Sequence, residues 1–184
     1  MDETSQKELL DNQIRVAHAN VFWTHKAHAK SYDSLISTSN CWNVAVISLS
    51  TLITSSALWD ILDEVAWLKW VSCILAGILT GFTTYLKAKN YGELIHRHKQ
   101  AADSLWAVRE DYLSLLYEIK ADLLSVSQII DRRDTLQTRV MDIYKNTPST
   151  TEKGYNVATK AIKTGDATFT NEELNLVVPP DLRK

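Results

Sequence analysis

The sequence predicts an all-α protein: a two-span transmembrane helical hairpin continuous with a cytoplasmic helical bundle. Three observations point there. Two apolar runs are each long enough to cross a bilayer. Glycine and proline are scarce, five and three in 184 residues, which argues against a turn-rich all-β fold. An apolar heptad stripe runs through most of the remainder. The averages hide this division: 45% hydrophobic, 23% charged and a formal net charge of −2 describe an ordinary soluble chain. A charge near zero excludes a polyanion binder acting through overall basicity, so no direct nucleic-acid binding is expected. Cys41 and Cys73 are too few for a disulfide scaffold.

The first element covers residues 1–37. From Gln6 to Ser37 it lacks Gly and Pro, and Leu10, Ile14, Ala17 and Val21 recur on one helix face. It predicts a cytoplasmic helix running into the membrane. The acidic start, Met1-Asp2-Glu3, and the late apolar run are unlike a signal peptide.

The first span is placed at 38–59. The 26 residues from Ser34 to Trp59 carry no charge, and about 20 apolar residues suffice to cross a bilayer. The second span is placed at 67–88, with Lys69 the only charge between Trp67 and Leu86. Trp42, Trp59, Trp67, Trp70 and Tyr85 flank the runs, as suits a membrane interface. A hairpin buried in a soluble helical protein is the competing assignment. Residues 60–66 form a short outer loop carrying Asp60, Asp63 and Glu64. Lys26 and Lys30 precede the first span, and Lys87, Lys89, Arg97 and Lys99 follow the second. Positive residues stay inside, so both termini are expected in the cytoplasm.

On a helical wheel of the first span, Asn40, Asn43, Ser48, Ser50, Thr51, Thr54 and Ser55 share an arc of roughly 160°. Trp42, Ala45, Val46, Leu49, Leu52 and Ile53 take the opposite face. A polar stripe suits another helix or water better than lipid tails. Helix packing and pore lining both use such stripes; Asn43, Ser50, Thr51 and Thr54 are the candidate pore-lining residues. In the second span Gly77 and Gly81 form a G-x-x-x-G, extended one turn by Cys73. This candidate packing ridge suits contact within the hairpin or between chains. Neither span has an acidic or histidine residue at its centre, which argues against proton-coupled transport.

Residues 89–146 carry the heptads. From Tyr91 the a and d positions run through Leu94, His98, Ala101, Leu105, Val108, Tyr112, Leu115, Ile119, Asp122, Val126, Ile129, Arg133, Leu136, Val140 and Ile143. Ser125-Val-Ser-Gln128 has the form of a helix start, predicting a break near 124–127 with the second helix folding back. Thr147-Pro148 ends that helix. The tail, 147–184, holds two short amphipathic elements. Ser149-Thr-Thr-Glu152 reads as a capping box before Tyr155, Ala158 and Ile162, with Gly165 as a stop. Thr170-Asn-Glu-Glu173 reads as another, and Pro179-Pro180 follows. The tail packs on the bundle or docks on a partner.

Catalytic signatures are missing: no phosphate-cradling Gly loop, no G-x-S-x-G, no H-E-x-x-H and no C-x-x-C. No catalytic residue, cofactor or metal site is assigned, and the chain is not expected to be an enzyme. His25 and His28 share a helix face that His98 could approach, but nothing completes a metal ligand set. Interfacial histidines beside headgroups are the plainer assignment. His96, Arg97, His98 and Lys99 form a basic run that either faces a partner or anionic ligand, or simply sets topology.

The chain resembles the SLATT family, the SMODS and SLOG-associating two-transmembrane effector domains of bacteria. The resemblance rests on order and on local motifs. A helix bearing Trp23, His25 and His28 leads into a Ser/Thr-rich span, then a short acidic loop and a Gly-containing second span. Tyr85-Leu-Lys-Ala-Lys89, His98-Lys-Gln-Ala-Ala-Asp103 and the stretch from Leu105 to Tyr112 follow. Arg132-Arg-Asp-Thr-Leu136 and Ile143-Tyr-Lys-Asn-Thr-Pro148 are similar to the second cytoplasmic helix. Tyr155 to Ile162, Thr168-Phe-Thr-Asn-Glu-Glu-Leu174 and Pro179-Pro-Asp-Leu-Arg183 look like the subgroup with an acidic–leucine–proline tail. That subgroup often has Gly near the cytoplasmic turn, where this chain has Ser125-Val-Ser127. The resemblance implies an oligomeric effector of a bacterial anti-phage system that forms a pore or disrupts the inner membrane, leading to abortive infection. It implies as partners the lipid bilayer, further copies of the chain, and a nucleotide second messenger or a sensor protein of nucleotidyltransferase or reverse transcriptase type. The alternative is a membrane-anchored helical interaction module that recruits a cytoplasmic enzyme without forming a pore.

Overall fold

A computed structural model describes residues 2–63 and 66–165. Five helices follow in order, with no strand among the described residues: α1 (Glu3–Asp63), α2 (Ala66–Lys89), α3 (Tyr91–Lys120), α4 (Val126–Lys145) and α5 (Glu152–Lys163). The expected N-terminal helix and first span are one continuous helix, because nothing between Glu3 and Asp63 interrupts it: the segment contains neither Gly nor Pro. Helical backbone persists to Asp63 and resumes at Ala66, within the 60–66 segment expected as a loop. Residues 64–65 lie outside the described residues, as do the second tail element at Thr170–Glu173 and Pro179-Pro180.

Contacts divide the chain into two units, Met1–Ser31 with Arg97–Lys184, and Tyr32–His96. The first is a helical bundle. Its register is fixed by cross-helix pairs. Lys7 pairs with Asp122, His25 with Ala102 and His28 with His98, so α1 and α3 are antiparallel. Glu118 pairs with Arg132 and Asp111 with Arg139, so α4 folds back along α3. Gln13 pairs with Arg133 and Thr24 with Tyr144, so α4 runs parallel to α1. Trp23 pairs with Thr159 and Ser31 with Thr151, so α5 is antiparallel to α1.

The heptad stripe is the core of this bundle. His98, Ala101, Leu105, Val108, Tyr112 and Leu115 of α3 and Ile129 and Leu136 of α4 are buried. They meet Leu10, Ile14 and Val21 of α1. The fold-back is built from local chemistry. Asp122 adopts a left-handed φ of 55° after α3. Ser125 then caps α4 in a complete capping box, its side chain accepting from the Gln128 amide while the Gln128 side chain accepts from the Ser125 N–H. The turn therefore lies at 121–125, at the early edge of the segment expected to break. Asn146 closes α4, its N–H bonding to the Ile143 carbonyl, just ahead of Pro148.

α5 departs from expectation at two points. Its N-cap is Thr151, whose hydroxyl accepts from the Gly154 amide at 3.0 Å, not Ser149. Its buried face is Gly154, Ala158 and Ala161, whereas Tyr155 is 51% exposed. The face is made of small residues because α5 lies very close to α1: a Cβ at Gly154 would fall 3.1 Å from the Ala27 carbonyl oxygen. Gly165 stops the helix as expected, with φ 81°.

The second unit is a helical hairpin. Ser56 and Ser72 share a hydrogen bond of 2.7 Å, and Trp42 stacks edge-on against Phe82 at 5.2 Å, so α2 returns antiparallel to the second half of α1. Both helices are long and apolar enough to cross a membrane. A break that the heptad pattern did not signal separates α2 from α3. Asn90 takes a left-handed φ of 45°, and its side-chain oxygen accepts from the Glu93 amide.

Candidate functional site

In the hairpin, the two faces of the first span have different surroundings. Val46, Leu49, Ile53 and the candidate pore-lining Ser50 are half-buried, whereas Asn43, Thr51, Thr54 and Ser55 are exposed together with Val44, Ala45, Ile47 and Leu52. Val46, Leu49 and Ile53 therefore lie toward α2 with Ser50 and Ser56 beside them, and the open side carries Asn43, Thr51, Thr54 and Ser55 interleaved with Val44 and Ile47. The hydroxyls of this stripe are tied to their own helix: Ser50 donates to the Val46 carbonyl, Thr51 to Ile47 and Thr54 to Ser50, at 2.8–2.9 Å. Their donors are thus satisfied while their oxygens still have acceptor capacity outward.

The glycine ridge of α2 is open too. A Cβ placed at Gly77 or Gly81 would meet nothing within 4 Å, and Cys73 is exposed and free. Of the two roles open to this ridge, the hairpin's own packing does not use it. The hairpin thus has two unpartnered faces of the kinds that pair helices in lipid, a hydroxyl stripe and a small-residue ridge.

In the bundle, the described buried polar side chains gather at one end. His28 and Ser31 of α1 are each 2% exposed, and His98 of α3 is 1% exposed. The Nδ1 atoms of His28 and His98 are 2.9 Å apart. One ring therefore donates from Nδ1 and the other accepts there. Burial, with the nearby His98 and His25 rings, lowers the His28 pKa to about 4. His98 is also lowered, by burial and by Arg97. His25, one turn along α1, donates from Nδ1 to the Ala102 carbonyl at 2.9 Å and is lowered by burial. Among the described residues no third metal-ligating group joins the pair.

This arrangement corrects two expectations. His28 and His98 are inside the bundle, not beside headgroups. The run from His96 to Lys99 is not a single ligand-facing surface: His96, Arg97 and Lys99 are exposed but His98 points inward. Arg97 donates to the Asn146 carbonyl at 3.4 Å, and Lys99 pairs with Asp103 at 3.0 Å. The heptad register had already put His98 at a core position. The sequence also offered the His25–His28 face as what His98 could approach; that His28 is the one it meets depends on the register of α1 against α3.

The bundle also has an open groove of about 580 Å³ lined by Ala19, Asn20, Trp23, Thr24, Tyr144 and Tyr155. The Trp23 indole N–H donates to the Thr159 hydroxyl, and the Tyr144 hydroxyl to that of Thr24. These bonds hold both rings against α1 and α5.

The model of the SMODS and SLOG-associating 2TM effector domain family 4 matches residues 10–173. That range includes both apolar runs, the histidine pair and all of the described bundle except the first residues of α1. No curated protein and no solved structure gives a significant match. An all-helical fold, two helices able to cross a membrane and a family match over most of its length agree: this chain belongs to family 4 of the SMODS and SLOG-associating two-transmembrane effector domains.

Proposed function

We propose that this protein is the membrane-acting effector of a bacterial anti-phage system. Several copies assemble in the inner membrane with both termini and the helical bundle in the cytoplasm. An activating signal, either a nucleotide second messenger or a sensor protein, changes their packing. The polar face of the first span then lines an opening, and the cell loses its membrane potential. The effector acts by physical disruption and not by catalysis.

The observation that carries this reading is the exposed stripe of Asn43, Thr51 and Thr54 on the side of α1 away from α2. A polar face left open by its own hairpin is suited to meet water or another copy. The open Cys73–Gly77–Gly81 ridge offers a second contact for assembly. Lys26 and Lys30 before the first span, and Lys87, Lys89, Arg97 and Lys99 after the second, support the orientation.

Replacing Ser50 and Thr54 with leucine tests it. Depolarisation on activation should disappear while cross-linked oligomers persist; unchanged leakage would remove the pore-lining role. A second reading has one observation in its favour. The stripe hydroxyls are satisfied on their own helix, so the face can rest against lipid. The spans would then only tether the bundle while it recruits a cytoplasmic enzyme, and the leucine variants would keep full function.

A further inference from the structure

The three described buried polar side chains, His28, Ser31 and His98, lie within one turn of each other along α1 and its α3 neighbour. They also lie where the chain passes between its two units, at Ser31 to Tyr32 on α1 and at His96 to Arg97 on α3. Elsewhere the core between α1 and α3 is apolar, from Leu10 and Ile14 to Leu105 and Leu115. A buried polar contact specifies one arrangement and is sensitive to a change in its protonation.

We propose that the His28–His98 pair is a proton-operated clasp holding α1 to α3 at the end of the bundle from which both helices lead to the spans. In the neutral pair one ring carries its proton on Nδ1 and donates it to the bare Nδ1 of the other, whose own proton is on Nε2. A first added proton goes to the free Nε2 of the donor ring, and the Nδ1–Nδ1 bond survives. A second must land on the acceptor Nδ1. It removes the acceptor, sets two imidazolium N–H groups against each other, and parts the helices. Two protons are taken up for each clasp opened.

The surroundings favour the neutral, closed form. From α1 the nearby titratable group is His25, and from α3 it is Arg97. Asp103 acts on His25 and not on the pair. α5 brings the uncharged Thr151 and Gly154 to Ser31, and α4 brings the Asn146 carbonyl to Arg97. No carboxylate stands among the groups acting on either ring to hold a proton there. Both rings accordingly titrate below the usual histidine range.

The clasp rests on the bundle geometry alone; its effect on the spans rests on the effector reading above. The full chain in lipid nanodiscs, labelled with ¹⁵N-histidine, separates the two. At pH 7.5 the expected spectrum has one Nδ1-protonated and one Nε2-protonated ring joined by an N–N coupling through the hydrogen bond. On acidification the coupling should vanish at the second protonation. Amide exchange at residues 25–31 and 97–102, corrected for intrinsic pH dependence, should accelerate between pH 7.5 and 5 by more than the roughly 30-fold that uptake of a single proton would give. In the H28N/H98N variant, whose amides pair without titrating, that acceleration should be absent. Two rings of the same tautomer without coupling would overturn the clasp, as would undiminished acceleration in the variant. The wild-type spectrum decides the matter even if the variant fails to fold. A clasp that opens in acid without altering vesicle leakage would leave the clasp intact and count against its coupling to the spans.

Discussion

Gly154 should be the least replaceable residue of α5. An alanine Cβ there would fall 2.1 Å from the Ser31 Oγ, and 3.1 Å from both the Ala27 carbonyl and the Thr151 Oγ1. The first distance is a steric overlap with a side chain that is itself 2% exposed. Overpacking of a buried contact costs about 1–3 kcal/mol. Alanine returns up to about 1 kcal/mol of helix propensity. The net expectation for Gly154→Ala is a loss of about 1–2 kcal/mol, localised to α5. Amide exchange at 155–163 should then rise about ten-fold, while exchange in α3 and α4 stays near wild type. Ser31→Ala alone removes only a 3.5 Å hydroxyl contact with Thr151 and should be nearly neutral. Combined with Gly154→Ala it removes the overlapping oxygen, so the double variant should recover at least about 1 kcal/mol, a coupling expected of touching residues. Unchanged α5 exchange in Gly154→Ala, or no recovery in the double variant, would refute the close docking of α5 on α1.

Further outcomes follow from the bundle. Leu105 is fully buried, so Leu105→Ala should cost about 3 kcal/mol in chemical unfolding, whereas truncating the half-exposed Trp106 beside it should cost under about 0.5 kcal/mol. Ser125→Ala removes the α4 cap and should cost about 1 kcal/mol, read as faster exchange in the first turn of α4. Because His28 is held at about 4 when folded, against 6.5 in the unfolded chain, its contribution is present above pH 6.5 and lost as pH falls towards 4. Thermal melts across that window should lose about 3 kcal/mol, and the His28→Asn variant should lose correspondingly less.

Much of the fold was legible because it is written in spacing. The heptads from Ala101 to Leu115 and at Ile129 and Leu136 became the core, and Ser125–Gln128 became a complete capping box. Two long apolar runs without Pro became the hairpin. What escaped was written in smallness or in register. Gly154, Ala158 and Ala161 carry no large side chain, so Tyr155 looked like the buried residue when it is the exposed one. Asn90 breaks the helix through a left-handed φ, which its residue type permits without announcing. That His98 could approach the face of His25 and His28 was legible, but the direct His28–His98 contact, across 70 residues of chain, is set by the antiparallel register of α1 and α3. The hydroxyl stripe was visible from the helical wheel, but that it faces away from α2 required the hairpin.

The central claim is that the spans themselves do the damage. The direct measurement is the membrane potential of cells in which the activated protein carries an unrelated two-span anchor in place of residues 38–88. The account predicts that the potential is held and that protection against phage is lost. Protection retained with the foreign spans would contradict it, and would make the hairpin a tether for a bundle that acts through another protein.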